Sequence, residues 1–497
     1  MKILVVPKSS KYYSKRSVIL ALVATLLLTQ LAPTSSIAAG IDVGKITVLS
    51  SENISVDNST DVLKVYLNIF KPNNAVSFEI QMNNVETATV LNGSQNLVLP
   101  PKASFQFSLT SAASLASATI GQPIREIKTS SGTSIVQIFP TPPDFPIVSL
   151  SGDTSLVAKK EILSTPVVTD GTYAVDSVGT AIKYFYKSPN NIIGFRKLTD
   201  TKPIASLGGT PAYAFLGQTK FDVTATSPGT WRLLDSSFQN LQRINSVKTK
   251  FGTVLPEGHG MTVAPSGNAV VITTVTRSVD STWLKRAYSL PILDCDIAEI
   301  VDGKAVSEFS FWDWAVANKS ISQPLLDAMP ILNDPQNPTT SPIDVCHANS
   351  LQYYKATKEF VISLRSPSIL LILSSNLKTV KKVIPTNDSF QHFARFRSPS
   401  EITALGNYTF GKVSTFQDFK LIKGKWVLTE IPFPVHAVYC GNTQFIDATH
   451  IWLGGGCGPF TPGTIGAIFK LSGGALKQVG AVKMKNFNYT YRADIAS

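Results

Sequence analysis

The sequence predicts an all-β protein, a six-bladed β-propeller preceded by a small N-terminal β-sandwich. Three observations lead there. Charged residues make up only 16% of the chain, well under the quarter usual in globular domains, and a Ser/Thr/Val-rich surface suits strands better than helices. Short runs carry apolar residues at every second position and are broken by turn residues. Beyond residue 150 an apolar pattern recurs at separations that divide into units of about 46 to 48 residues, the size of a propeller blade.

Residues 1–38 read as a secretory signal peptide. A basic stretch ends at Lys15-Arg16, the apolar run Val18–Leu28 follows, and small residues at Ser36 and Ala38 suit cleavage after Ala38. The run is short for a membrane span, and no later stretch is longer, so a periplasmic or secreted chain with no membrane contact after cleavage is expected. Five positive charges and no acid lie in this leader, which leaves +7 of the total +12 on the remainder. No block of Lys and Arg points to nucleic acid, although a mild positive field suits an anionic small molecule.

The sandwich is expected over 39–140. Leu63, Val65, Leu67 and Ile69 alternate with polar residues, as do Val76, Phe78 and Ile80, then Phe105, Phe107 and Leu109, while Ile135–Phe139 adds a further short run. Four prolines between Phe139 and Pro146 cannot continue a sheet interior, so 141–150 is read as a stiff linker and 151–497 as the propeller. Within it, Leu234, Phe238, Leu241 and Ile244 recur as Leu373, Leu377, Val380 and Val383, a shift of 139 residues, and a looser copy ends at Val479, 96 residues further on. These shifts correspond to three and two units. Hairpin turns are marked at Ser266-Gly267-Asn268, Asp302-Gly303, Lys423-Gly424 and Ser472-Gly473-Gly474. The one helix candidate is Gln323–Met329.

Four cysteines in an exported chain suggest two disulfides, with three pairings open. Cys440–Cys457 is favoured, because Cys440 ends an apolar strand and Cys457 follows in a glycine-rich stretch; Cys295–Cys346 then remains. No C-x-x-C spacing supports zinc or dithiol chemistry.

A propeller axis gathers residues from distant positions, so the histidines in loop-like contexts are the candidates for chemistry. His259 lies between glycines ahead of a hairpin, His347 in Asp344-Val-Cys-His347-Ala-Asn349-Ser350, and His392 after Gln391 at a strand start. Arg365 ends the apolar strand Phe360–Leu364. Three imidazoles could hold a metal, but Arg365 in the same funnel would oppose a cation; no metal and no cofactor is expected. His436 and His450 sit in or beside strands and read as structural.

Asp344-x-x-His347-x-Asn349-Ser350, Ser363-Leu364-Arg365 and Gln391-His392, in this order, resemble the bacterial aryl sulfotransferases, exported enzymes that take sulfate from an aryl ester. The proline linker at 141–146, His259 ahead of Ala264-Pro-Ser-Gly-Asn268, and Tyr491-Arg492-Ala493 near the end extend the resemblance over the mature chain. It implies that His392 attacks sulfur and carries the group as a sulfohistidine. By the same resemblance His259, His347 and Arg365 hold the sulfuryl oxygens or move a proton. Asn349 and Tyr491 are the implied substrate contacts, and Asp344 fixes a histidine tautomer. Partners are then a small aromatic sulfate donor and a phenolic acceptor; the family includes dimers, so a homodimer is among the expectations. The stretch Ile402–Tyr408 lacks the acid the family commonly carries there. Two other readings share these features: a non-catalytic secreted propeller that binds carbohydrate or protein, and an aryl sulfate hydrolase.

Overall fold

The computed structural model describes residues 145–496, apart from 170, 189, 199–200, 202–208, 219–227, 237–239, 285–288, 330–341, 388–389, 408–412, 438–439, 457–462 and 486; ahead of residue 145 it describes little beyond the strands between 43 and 140. The expected signal peptide and residues 141–144 of the proline linker lie outside the described residues, while the linker's last four residues fall in the strand Ile147–Gly152.

The N-terminal strands form two sheets. Val76–Met82 pairs with Val43–Val48 and with Ser104–Leu109; the second sheet runs Ile54–Asp57, Leu63–Leu67, Ser134–Pro140, Arg125–Thr129, Ala88–Asn92, Gln95–Leu99. The alternating runs of the sequence thus fall on strands in both sheets.

From Phe145 onward the strands form a propeller-type ring. Four sheets are built from strands close in sequence, with inner strands Ile192–Lys197, Pro256–Val263, Ala348–Tyr354 and His392–Ser398. A fifth runs from Asn442–Phe445 outward to Ile147–Gly152, which joins it from the other end of the region. A further sheet pairs Tyr489–Ile495 with Glu161–Val168, and then Gly171–Val178 and Ala181–Ser188. Its last strand touches both Ile192–Lys197 and Asn442–Phe445, so the end of the chain shuts the ring against its beginning. The expectation of an all-β propeller holds in this coarser form. The six blades expected are not what is observed: five blade sheets of four to seven strands form the ring, and the four-stranded sheet holding Tyr489–Ile495 is a separate one drawn from both ends of the region.

The spacing argument needs one correction. Leu234 and Leu373 both end up on third strands, but the 139-residue shift spans two sheets rather than three units. The intervening sheet is enlarged by strands of 11 and 12 residues, Ala269–Val279 and Leu290–Val301, and by two helices, Phe311–Ala317 and Lys319–Asp327. The sequence pointed to one helix, at 323–329; the chain turns helical earlier. Ser310 caps the first helix by accepting from the Asp313 N–H at 3.1 Å. It also donates to the buried Asp294 at 2.7 Å, and Asp294 accepts the Trp312 N–H at 3.0 Å. Burial pushes the Asp294 carboxyl up to about 6. The four marked turns are hairpin turns, and Asp302-Gly303 and Lys423-Gly424 take the paired positive φ values of a tight two-residue turn.

Packing explains why the middle strands read as unbroken apolar runs. Along Glu359–Leu364 and Ile369–Ser374, Ile362, Leu364, Leu371 and Leu373 face one neighbouring sheet through Ile272 and Ile297. Val361, Leu370 and Ile372 face the next sheet through Ile402, Ala404 and Phe419. Each sheet is buried on both faces, so the alternation sorts side chains between two cores instead of between core and water. No helix among the described residues is long and apolar enough to cross a membrane.

Cys295 and Cys346 form a disulfide across 51 residues, tying the long strand Leu290–Val301 to the residue just before His347. Cys440 is also disulfide-bonded, and Cys457, its expected partner, lies outside the described residues. Closing a loop of that length restricts the unfolded chain by about 4 kcal/mol. Replacing Cys295 and Cys346 together by serine is expected to lower the unfolding free energy by about 2 to 4 kcal/mol in a denaturant titration; an unchanged midpoint would show that this bridge adds nothing.

Candidate functional site

The candidate residues come from the N-terminal ends of three inner strands and the segments that lead into them. His259 is the fourth residue of Pro256–Val263, His347 immediately precedes Ala348–Tyr354, and His392 opens His392–Ser398. The structure brings the His259 and His347 rings to 5.3 Å between centroids, and Tyr491 lies edge-on to His259 at 5.4 Å. Arg365 donates its backbone N–H to the His347 carbonyl at 3.1 Å. Its guanidinium sits over the Phe390 ring at 5.3 Å, and the Phe390 carbonyl in turn bonds the His392 ring at 2.9 Å.

Each imidazole is fixed through Nδ1, but by different partners. His259 Nδ1 meets Glu257 Oε1, and the other oxygen of that carboxylate accepts the His259 backbone N–H at 2.8 Å. His347 Nδ1 lies 2.5 Å from Asp344 Oδ2, while Asp344 Oδ1 accepts the His347 N–H at 2.8 Å. His392 Nδ1 faces only a carbonyl. A carbonyl accepts and cannot donate, so Nδ1 carries the proton and Nε2 keeps its lone pair.

Electrostatics reinforce that assignment. His392 is 1% exposed, and burial holds its pKa well below the ordinary imidazole value, with the nearby Arg365 and Arg492 guanidiniums pushing the same way. Burial also depresses His259, aided by His347 and Arg492 and opposed by Asp344. Asp344 is held below the usual carboxylate range: burial would raise it, but the His347 charge and hydrogen bonds outweigh that. The Tyr491 phenol, its oxygen buried without a partner, is pushed up to about 12 mainly by burial. Two of the three imidazoles are therefore neutral bases at neutral pH, and the surrounding cations have no carboxylate of their own. Arg365 and Arg492 form no ion pair among the described residues.

The backbone around His392 is under constraint. Phe390 and Phe393 both have positive φ, 47° and 59°, a region that costs non-glycine residues energy and persists only when neighbours enforce it. Gln391 is the enforcing group. Fully buried, it donates Nε2 to the Leu364 carbonyl at 2.9 Å and the Ile369 carbonyl at 3.0 Å, and accepts from Thr386 Oγ1 at 2.7 Å. Its own carbonyl takes Asn349 Nδ2 at 2.7 Å and Ser363 Oγ at 3.2 Å. Asn349, expected as a substrate contact, is thus a buried strut whose amide nitrogen is engaged with the protein.

Sequence reasoning missed Glu257, Gln391 and Arg492 as members of the site. Glu257 stands two positions before His259, a spacing that puts both side chains on one face of a strand and that could have been read. Arg492 stood in the sequence only within Tyr491-Arg492-Ala493, with no role attached to it. It reaches across the axis, donating Nη1 to the His259 carbonyl at 3.1 Å and Nη2 to the Asn349 carbonyl at 2.5 Å. His436 bonds Ser414 at 3.2 Å and His450 pairs with Asp447 at 2.9 Å, both away from the cluster. Among the described residues no group of three or more His, Cys, Asp or Glu side chains is arranged to hold a metal ion.

No protein-family model matches the chain, and no curated protein matches it. Solved structures of similar shape include a protein of unknown function from Bacteroides caccae, with 10% identity, covering 67% of this chain and 98% of that one at a TM-score of 0.38. Others are a putative 6-phosphogluconolactonase from Bacteroides uniformis, with 10% identity, 83% and 100% coverage and a TM-score of 0.36, and the periplasmic gluconolactonase of Pseudomonas aeruginosa, with 8% identity, 70% and 99% coverage and a TM-score of 0.39. Likenesses at this level carry no correspondence of residues.

Replacing Gln391 by leucine would leave the Leu364 and Ile369 carbonyls and the Thr386 hydroxyl without their partner. The expected loss is about 3 kcal/mol of unfolding free energy, since each orphaned buried group costs about 1 to 3 kcal/mol. A chemical-denaturation midpoint equal to wild type would remove Gln391 from this role.

Proposed function

We propose that this protein transfers a sulfuryl group from an aryl sulfate to a phenolic acceptor, with His392 as the nucleophile, inside a ring in which the sheet of Tyr489–Ile495 serves as the sixth blade. The observation that carries the reading is the pairing of a neutral, Nδ1-protonated His392 with a guanidinium next to it. A sulfate ester presents three oxygens around sulfur that share one negative charge. An anionic nucleophile would be repelled by them, whereas an uncharged imidazole lone pair is not. Arg365 and Arg492 supply permanent positive charge where those oxygens would lie.

In the first half of the cycle His392 Nε2 bonds to sulfur while the S–O(aryl) bond breaks, its electron pair leaving on the phenolate oxygen. His347, backed by an ionised Asp344, delivers a proton to that oxygen. In the second half a phenol oxygen attacks the sulfur of the sulfohistidine, the N–S bond breaks with its pair returning to Nε2, and the phenolic proton passes to His347. His259, neutral and held by Glu257, and the un-ionised Tyr491 line the same space, where the phenol can donate to a sulfuryl oxygen. Because His392 exposes so little surface, substrate reaches Nε2 from the side of the partly exposed His347 and Arg365. Asn349 acts here as a positioning residue.

One observation favours a second reading, aryl sulfate hydrolysis. Two imidazoles backed by carboxylates, His259–Glu257 and His347–Asp344, form the arrangement that takes a proton from water. Nitrophenyl sulfate with and without phenol separates the outcomes: phenol-dependent nitrophenol release supports transfer, phenol-independent release supports hydrolysis, and no release leaves a binding protein.

His392→Asn is expected to abolish both nitrophenol release and a sulfuryl mass adduct on the protein, while His347→Asn lowers turnover by about 10² to 10⁴-fold. An adduct mapping to another histidine would overturn the assignment. The depressed pKa of His392 also sets a pH dependence. A base with a lowered pKa stays unprotonated further into acid, so the acid limb of kcat/KM is expected well below about 6.5, the ordinary imidazole value. An acid limb at or above that value would mean that a different, unperturbed imidazole is the nucleophile.

A further inference from the structure

A second polar chamber lies on the axis, beyond the histidine cluster toward the C-terminal ends of the inner strands. It has a volume of about 190 Å³, and every inner strand contributes to its wall. None of His259, His347, Arg365 and His392 lines it. Its charged residues are Arg196, Lys197, Arg395 and Asp494, with Thr262, Gln352 and Gln444 as further polar groups among apolar residues such as Leu351 and Phe393.

The charges there do not balance. Arg196, 5% exposed, spends its guanidinium on backbone carbonyls of Gly194, Met261 and His259 at 3.0, 3.2 and 3.2 Å. Arg395 lies over the Phe393 ring at 4.0 Å and donates Nη1 to the carbonyls of Ala394 and Leu351 at 3.0 and 3.4 Å. Its Nε and Nη2 have no protein partner among the described residues. Neither guanidinium is ion-paired there. Asp494, the carboxylate of the chamber, makes no ion pair with either, and its Oδ1 is buried with no hydrogen bond. Lys197, the third cation of the wall, is paired with Glu161 at 2.8 Å, so two guanidiniums face one acid, whose pKa burial raises against the pull of Arg196, Arg492 and Arg395. A buried cation without an anionic partner is costly, and burial together with repulsion from Arg492 brings Arg196 down to about 10. Size narrows the ligand. The volume suits a few water-sized groups at about 30 Å³ each, and falls short of the roughly 300 Å³ or more of a pocket for a drug-sized molecule.

We propose that this axial chamber binds a small tetrahedral oxyanion, of the class of inorganic sulfate or phosphate, between the guanidiniums of Arg196 and Arg395. The anion supplies the negative charge the wall lacks and occupies the free N–H groups of Arg395 in the planar, forked manner that guanidinium favours. The site is independent of the sulfuryl-transfer reading and stands if that reading fails.

The test uses the full chain in the Arg365→Met variant, so that the histidine cluster does not contribute. Melting temperature is followed while sodium sulfate or sodium phosphate is titrated against sodium chloride at matched ionic strength. Sulfate or phosphate is expected to raise the melting temperature in a saturable way that chloride does not reproduce. Adding Arg395→Met is expected to remove the saturable shift, and adding Asp494→Asn to lower the half-saturating concentration by about threefold or more through loss of a repelling charge. Equal shifts in chloride, or a saturable shift that persists in Arg395→Met, would overturn the proposal. Should Arg395→Met not fold, Asp494→Asn decides: a half-saturation point that stays the same or rises overturns it.

Discussion

Closure of the ring by its last strand is the constraint on which the rest depends. Tyr489–Ile495 pairs with Glu161–Val168 and so joins the two ends of the region, and from it Arg492 extends into the axis to hold the carbonyls of His259 and Asn349. One buried side chain thus fixes the backbone of two inner strands relative to a third. The carbonyl of His259 is shared with Arg196, so a fourth strand is drawn into the same knot. Carbonyl oxygens at the inner edge of a sheet would otherwise be short of donors in a space with little water, and an unpaired buried acceptor is expensive. Guanidinium, with five N–H groups in a rigid plane, satisfies several at once, which a lysine could not do.

That solution has an electrostatic consequence. The cations that satisfy the inner carbonyls form no ion pair with a carboxylate among the described residues, so their charge is felt by the groups around them. Near Arg365 and Arg492 this field depresses His392, and the same field favours an anionic substrate. A histidine beside guanidiniums keeps its lone pair only if it does not protonate. Here burial and positive charge act in the same direction, keeping the imidazole neutral. The carboxylates Glu257 and Asp344 are placed one to a histidine at His259 and His347 and withheld from His392, which sets two carboxylate-paired imidazoles apart from one whose Nδ1 meets a carbonyl.

How much of this could be read in advance depended on how local its cause is. Hairpin turns were legible because Asp302-Gly303 and Lys423-Gly424 need nothing beyond their own φ preferences. The middle strands were legible as apolar runs, since Ile369–Leu373 is buried whichever neighbour covers it. The blade count was not. Periodicity assumes equal units, and the sheet between Leu234 and Leu373 is lengthened by helices that local pattern placed too late. The first helix depends on Ser310 being oriented by the buried Asp294, a contact across 16 residues. In the site, the three histidines and Arg365 stood out because their contexts were unlike strand interiors. Arg492 and Gln391 did not, because an arginine in an alternating strand reads as surface and a glutamine before a strand reads as loop. Ring closure turns Arg492 inward, and the carbonyls of Leu364 and Ile369 hold Gln391.

The Cys295–Cys346 bridge shows how the scaffold and the site are joined at a point that neither explains alone. Cys346 is adjacent to His347, whose φ of 44° is unfavourable for a residue with a Cβ. The turn it occupies is held on three sides: by Asp344, which takes both the ring and the backbone N–H of His347; by the Arg365 N–H on its carbonyl; and by the disulfide to the neighbouring sheet. A loop needed only to connect two sheets would not require so many restraints. Three of them converging on one strained histidine hold its ring in place, because rotation about a soft dihedral would move Nε2 by more than a hydrogen bond tolerates. The bridge therefore does for His347 what Gln391 does for His392. In both places the sheets supply rigidity, and a single buried or covalent contact passes it on to a residue that the sheet itself does not include.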